Sequence, residues 1–316
     1  MVDMDLISQP SEWSPEPESG GDAPIHAIFR FLIAAVITWV VNWMAASLSF
    51  SALRNHLLVA DIAYRALGAV VLIAIYSLLL GLLDHRERDR LPAQGLPLNW
   101  RAGRHFLAGL AFGILLIGIC VAVAAAFGSY QARVSVTAHT SRVAVEVLLL
   151  LLVGALLEEV MFRGYAFQRL VEAVGPFWAI TAASALFAAA HLGNPSAGGV
   201  YSWAFFNTIA IGVLLAIAYL RTRMLWLPLG IHFGWNFALG FVFGLPVSGL
   251  SEFGVLVKGS IRGRPWLTGG AYGLENSAAA AMLLGLTLAA ILAVQLITGD
   301  QLGKHARAGP HGKLRA

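Results

Sequence analysis

The chain has 316 residues, of which 58% are hydrophobic and only 12% are charged, and its mean hydropathy is +0.74. Soluble domains carry about 25% charged residues, so the composition excludes an ordinary soluble enzyme and indicates a protein built for lipid. The net charge of +4 does not indicate nucleic-acid binding, because no cluster of Lys and Arg is interleaved with aromatic residues. The single cysteine, Cys120, excludes an intrachain disulfide.

The first 24 residues are polar and acidic and contain proline, so they are predicted to be a disordered tail and not a cleavable signal peptide. Eight apolar segments follow that are predicted to cross the bilayer as helices, of which the fifth is short. They cover residues 27–50, 60–83, 105–127, 143–163, 177–192, 202–221, 224–244 and 277–298. The predicted fold class is therefore all-α, a polytopic transmembrane helix bundle of about eight spans.

These spans divide the chain into regions. Residues 25–135 are predicted to hold the N-terminal helices, and residues 136–245 a core of helices that carries the polar motifs. Residues 246–276 are predicted to be a linker loop, 277–298 the last span, and 299–316 a second tail.

The basic residues give the predicted orientation. An even number of spans puts both termini on one side of the membrane, and 14 of the 21 Lys and Arg residues then fall on that side. Because cytoplasmic loops carry an excess of basic residues, both termini are predicted to be cytoplasmic. The predicted location is integral to the plasma or inner membrane.

Charged side chains inside apolar spans need a reason, since each costs about 2.5–3.5 kcal/mol on insertion scales. Asp61 and Arg65 are four residues apart in the second span and are predicted to pair with each other. Glu159 and Arg163 have the same spacing and are also predicted to form an ion pair. Glu158 is turned by about 100° from Glu159 and faces elsewhere, either as a general base or as a carboxylate satisfied by a neighbouring helix.

Two further helices carry polar pairs with helical spacing. Phe187 and His191 are four residues apart, and so are His232 and Asn236, so each pair lies on one face of its helix. Taken singly, His191 fits a satisfied core histidine, and the pair of His232 and Asn236 fits an interhelical hydrogen bond.

A common depth favours a functional site over these separate explanations. A turn at residues 175–176 is predicted to join two antiparallel helices, with Glu158 17 residues before it and His191 16 residues after it. Arg163 is expected near the cytoplasmic end of its helix, which places Glu158 about 8–10 Å below the interface. His232 is expected at about 13 Å, so three helices deliver buried ionisable groups to one layer.

With these motifs in place, the sequence resembles the CPBP family of intramembrane proteases, named for CAAX proteases and bacteriocin-processing proteins and also called Abi. The family pattern is Glu-Glu-x-x-x-Arg, Phe-x-x-x-His and His-x-x-x-Asn on successive core helices. The corresponding segments here are Glu158–Arg163, Phe187–His191 and His232–Asn236, in the family's order. The resemblance covers about residues 140–245.

The resemblance implies an endopeptidase that acts on membrane-anchored or membrane-proximal peptides and proteins, prenylated CAAX-type substrates among them. It implies no nucleic-acid partner. Glu158 and His191 would activate the attacking water. His232 and Asn236 would stabilise the oxyanion, which is the role of preorganised donors in acyl transfer.

The resemblance also implies supporting roles, and it leaves the cofactor open. Glu159 and Arg163 would hold the helix geometry, and Phe187 is expected to contact the substrate. Although such enzymes are often called metalloproteases, no HExxH helix is present. A divalent metal such as zinc, if bound, would take Glu158, His191 and His232 as ligands. The resemblance favours water activated by side chains without a metal.

Two alternatives to an enzyme stay open from sequence. The first is a non-catalytic membrane scaffold or bacteriocin-immunity protein on the same fold. The second is a small-solute transporter, which predicts internal pseudo-symmetry and discontinuous helices. No internal repeat is visible in the sequence.

Overall fold

The structure is a computed structural model that describes residues 24–54, 58–83, 90–136, 140–251 and 253–307. The predicted tail at 1–24, apart from its last residue, and the end of the predicted tail at 299–316 lie outside these residues. The long helices are α1 (Pro24–Arg54), α2 (Leu58–Leu82), α4 (Trp100–Ala126), α5 (Thr140–Arg163), α6 (Tyr165–Ala190), α7 (Trp203–Thr222), α8 (Trp226–Asn236) and α10 (Ala278–Arg307). The shorter elements are α3 (Arg90–Ala93), β1 (Tyr130–Val134), β2 (Val257–Ile261) and α9 (Pro265–Thr268).

Every predicted span coincides with one of the long helices, and the predicted all-α membrane bundle is confirmed. Within the described ranges, α1, α2, α4, α7 and α10 are long and apolar enough to cross a membrane by composition. Of the other three long helices, α5 carries five charged residues, α6 is broken at Gly175, and α8 passes into a π-helical turn at Phe237–Val242. The three helices that miss the criterion are the ones that carry the polar motifs.

The packing of α2 against α5 shows that these helices run in the same direction. A Cβ atom on Gly68 of α2 would lie 3.5 Å from Leu157 of α5. Eight residues later in each segment, the ring centroids of Tyr76 in α2 and Tyr165, which follows the end of α5, are 5.6 Å apart. The shared direction agrees with their predicted places as second and fourth spans of an alternating bundle.

Small residues bring α4 and α8 into backbone contact. A Cβ atom on Gly113 of α4 would lie 2.3 Å from the carbonyl oxygen of Ile231, and one on Gly230 of α8 would lie 2.2 Å from that of Phe106. Interfaces of this kind are typical of membrane helices, where small residues let the backbones approach closely. The contact fixes the part of α8 that presents His232.

The predicted straight helix from Glu158 to the turn at 175–176 is wrong, because the chain breaks earlier. Gly164, with ψ −149°, separates α5 from α6, and a second break within α6 falls at Gly175, whose φ is +81°. Arg163 is the last residue of α5, as expected for a helix end, and its side chain is fully buried within the protein. The break at Gly164 lets the chain change direction directly after the Glu158-Glu159 motif.

The region between the predicted spans contains structure that the hydropathy pattern does not predict. Strands β1 and β2 pair antiparallel, with Tyr130 opposite Ile261 and Val134 opposite Val257. The predicted linker at 246–276 therefore contains β2, α9 and two short 3-10 turns. At the other end of the chain, α10 continues to Arg307, beyond the predicted end of the last span at residue 298.

Candidate active site

A cavity of about 240 Å³ brings together residues from α1, α2, α5, α8, the end of α6 and two loops. Its lining includes the four predicted catalytic residues, Glu158, His191, His232 and Asn236. The three motifs, which are far apart in sequence, therefore meet around one space.

Glu158 lies between the two histidines. Its Oε2 atom is 3.9 Å from His191 Nε2 and 3.6 Å from His232 Nε2. Neither distance is a hydrogen bond, and Oε2 accepts none from any described residue although it is buried. A buried carboxylate oxygen with no donor is costly, so the geometry calls for a small polar molecule between these atoms.

His191 caps the C-terminal end of α6, and its ring is oriented by its own helix. Its Nδ1 atom lies 2.8 Å from the carbonyl oxygen of Phe187. Because a carbonyl oxygen can only accept, Nδ1 must carry the hydrogen, and in the neutral ring Nε2 holds a lone pair. That lone pair is on the side of Glu158 and the cavity.

His232 is oriented by Glu159, which is a contact between α8 and α5. Its Nδ1 atom lies 2.8 Å from Glu159 Oε1, so Nδ1–H donates to the carboxylate and Nε2 is directed toward Glu158. Glu159 Oε1 also accepts a hydrogen bond of 3.2 Å from Arg163 Nη1. The predicted ion pair of Glu159 and Arg163 is present, and it is extended to a histidine of the site.

Arg163 is held on several sides. Besides Glu159, it donates through Nη2 to the carbonyl oxygen of Gly212 in α7, at 3.1 Å. Its guanidinium also lies 4.6 Å from the centroid of the Phe187 ring. Arg163 thus ties α5, α6 and α7 together behind the histidines.

Phe187 is buried beneath the two histidine rings, with only 3% of its surface exposed. Its ring centroid is 4.7 Å from that of His191 and 6.0 Å from that of His232. The predicted contact with substrate stays a prediction, because these neighbours are all residues of the protein itself.

Asn236 lies one helical turn after His232 on α8 and lines the cavity. Its side-chain amide makes no hydrogen bond with the residues that the structure describes, so its N–H groups are free to donate into the cavity.

A second polar group behind the cavity was missed by sequence reasoning. Glu275 accepts a hydrogen bond of 2.9 Å from Trp235 Nε1, and it accepts another from the backbone N–H of Ser248. Tyr272 lies beside the side chains of Ser248 and Asn194, which both line the cavity. Burial raises the pKa of Glu275 and that of Tyr272. In the sequence, the one sign of this group was that Glu275 is the sole charged residue in the glycine-containing stretch 265–276.

A metal at this site would need Glu158, His191 and His232 as its ligands. No group of three or more His, Cys, Asp or Glu side chains that could hold a metal ion occurs in the described parts of the chain.

Comparison with known proteins supports the sequence resemblance. Residues 140–238 match the family described as type II CAAX prenyl endopeptidase Rce1-like, which confirms the resemblance to the CAAX proteases for this part of the chain. All three motifs lie inside the matched range. Neither the curated proteins nor the solved structures contain a match to the chain.

Proposed function

We propose that this chain, a CAAX-protease relative through its residues 140–238, is an intramembrane endopeptidase that hydrolyses peptide bonds of membrane-anchored or membrane-proximal substrates. The observation that carries the proposal is the convergence of Glu158 Oε2 and the two Nε2 atoms of His191 and His232 at 3.6–3.9 Å in one cavity. A prenylated C-terminal substrate is one member of the proposed class.

Water is proposed to occupy the space between Glu158 and His191. A water molecule can donate one hydrogen to Glu158 Oε2 and the other to His191 Nε2, which are 3.9 Å apart and both accept. Its oxygen attacks the substrate carbonyl while Glu158 takes the proton as general base. Glu158 then returns that proton to the leaving amine when the C–N bond breaks.

The oxyanion is proposed to form opposite His232 and Asn236. His232 donates through Nδ1 to Glu159 in either protonation state, so a second proton on Nε2 makes it a donor into the cavity. Charge balance favours the second proton on His232, because the two negative charges of Glu158 and Glu159 are then matched by the two positive charges of Arg163 and His232. A neutral group of charges is strongly favoured where the local dielectric is low. The Asn236 amide supplies a second donor.

Phe187 is proposed to support the site by packing under both histidine rings. Glu159 and Arg163 are proposed to keep His232 charged and in place, which extends the structural role that the resemblance implies. The charge bias of the basic residues supports cytoplasmic termini. This bias survives the burial of Arg163, because 13 other basic residues remain on the proposed cytoplasmic side.

The test is cleavage by purified protein in lipid vesicles, with Glu158→Gln as the variant. We expect this variant to fold and to lose cleavage, because glutamine cannot accept the proton from water. Glu146→Gln is the matched control, since Glu146 lies on the same helix but pairs with the exposed Arg142 outside the cavity. Full activity in Glu158→Gln would overturn the proposal.

Substrates are to be found by trapping. The Glu158→Gln variant, expressed in native membranes and cross-linked, should retain uncut substrates that the wild type releases as fragments. Partners that the wild type holds equally well and leaves intact would instead favour the scaffold alternative.

A further inference from the structure

A second charged group lies in the cavity, away from the proposed catalytic residues. Asp61 and Arg65 of α2 line the cavity, and Arg65 Nε donates to Asp61 Oδ1 at 3.0 Å. The pairing predicted from their spacing is therefore present. This pair, however, uses only the Nε–H group of Arg65, and it leaves the two Nη groups of the guanidinium without an assigned role.

The bonding of Arg65 differs from that of Arg163, although each lies four residues after a carboxylate. Arg163 uses both Nη groups on Glu159 and Gly212 and is fully buried. Arg65 makes no hydrogen bond through its Nη groups to the described part of the chain, and 26% of its side chain is exposed. A guanidinium anchored at Nε and open at both Nη atoms presents a fork that matches a carboxylate.

The position of Arg65 relative to Glu158 indicates which carboxylate of a bound substrate the guanidinium would meet. Arg65 Nη1 lies 3.6 Å from where a Cβ atom on Gly154 would stand, so the guanidinium passes over α5 at that level. Gly154 is one helical turn, about 6 Å, before Glu158. An extended peptide rises about 3.3 Å per residue, so a carboxylate held by Arg65 lies on the order of two or three residues from the bond at Glu158.

We propose that Arg65 binds the C-terminal carboxylate of the substrate and so directs cleavage to a bond a few residues from the chain end. The inference rests on the proposed peptidase function and adds a specificity-determining residue to it. Asp61 orients the guanidinium through Nε and leaves the Nη fork for the substrate.

The experiment compares two pools of lipid-anchored fluorescent peptides whose last four residues are randomised. One pool ends in free acids and the other in C-terminal amides. We expect the wild type to cleave the acids about tenfold faster in kcat/KM, the factor that one charge-assisted hydrogen bond pair supplies. In Arg65→Gln the ratio should fall to about one, through loss of activity on the acids alone.

Controls separate this role from a structural one. Arg142→Gln removes an arginine from a similar pair on the exposed surface of α5 and should keep the ratio of the wild type. Should Arg65→Gln fail to fold because Asp61 loses the Arg65 guanidinium, the double variant Asp61→Asn/Arg65→Gln keeps a neutral pair for the same comparison. The proposal would be overturned if Arg65→Gln lost kcat/KM equally on the acid and amide pools, or if the wild type itself cleaved the two pools at nearly the same rate.

Two further arms identify the ligand and separate the two proposals. An amide pool with Asp in the last position tests a side-chain carboxylate, and cleavage of this pool at the rate of the acids would overturn the C-terminal assignment. Binding of the acid and amide pools to the Glu158→Gln variant is measured by fluorescence anisotropy. If the acid pool binds more tightly than the amide pool and this difference requires Arg65, but the wild type cleaves neither pool, then the Arg65 site is supported and the peptidase function is rejected. If the wild type cleaves both pools and neither binds more tightly, the peptidase function is supported and the Arg65 site is rejected.

Discussion

Glu159 and His232 are joined by a hydrogen bond of 2.8 Å between Oε1 and Nδ1, although they are 73 residues apart in the chain. The bond makes the second carboxylate of the Glu-Glu motif a partner of His232, which is proposed to stabilise the oxyanion, and not only of Arg163. The two adjacent glutamates thus face the same histidine from two sides, Glu159 at Nδ1 and Glu158 at Nε2.

Glu159→Gln tests whether this bond serves catalysis. Glutamine can still accept from Nδ1, but it no longer balances a positive charge on His232. We expect kcat to fall about a hundredfold with little change in KM, as for loss of one oxyanion donor. The variant should also unfold at lower temperature, because Arg163 is left without its charge partner. An unchanged kcat in folded protein would remove His232 from the proposed oxyanion site.

The contact of α4 with α8 can be tested with two glycines of the same helix. Gly113→Ala places a Cβ atom 2.3 Å from the backbone of Ile231, so we expect α8 to shift and both stability and cleavage to fall. Gly118→Ala is the control, since its Cβ atom would meet nothing within 4 Å. Alanine there should be neutral or stabilise the helix by up to about 1 kcal/mol. Thermal unfolding and cleavage of both variants give the comparison, and equal behaviour would contradict the packing.

The buried Glu275 should make stability depend on pH. Because burial raises its pKa, the folded chain binds this proton more tightly than the unfolded chain. Its contribution to stability is therefore greatest below the ordinary carboxyl pKa and is lost as pH rises through the raised value. Thermal unfolding of the wild type and Glu275→Gln between about pH 4 and pH 8 should show a difference that favours the wild type most at the acid end.

The same variant has a second expected effect at any pH. Glutamine can accept from Trp235 through its oxygen, but its amide then opposes the backbone N–H of Ser248, which costs about 1–3 kcal/mol. The loop that lines the cavity should loosen. If the unfolding temperatures of the wild type and the variant differ by the same amount at every pH, the pKa of Glu275 is the same in the folded and unfolded chain, and the predicted pH dependence is wrong.

Chelation tests the cofactor question that the sequence leaves open. The proposed mechanism routes the proton of water through Glu158 and uses no metal, so cleavage should persist after treatment with a strong chelator and dialysis. Loss of cleavage that returns when zinc is added would reject the proposed roles of Glu158 and His191. Measurement of metal content in the purified active protein provides an independent check.

The sequence by itself determined what depends on neighbours along a helix. Apolar runs predicted each long helix, and the i,i+4 spacing predicted the pairs Asp61–Arg65 and Glu159–Arg163, because helical geometry relates such residues without any knowledge of the fold. The order of the three motifs was enough for the family resemblance.

Contacts between helices were decided only by the tertiary structure. The bond from Glu159 to His232, the approach of Arg65 to Gly154 and the attachment of Glu275 to Trp235 join residues on separate elements, and hydropathy does not specify which elements pack together. The break at Gly164 and the burial of Arg163 have the same origin, since a guanidinium is buried only where other helices supply its partners. Sequence periodicity gives the face on which a side chain lies, whereas packing determines what that face meets.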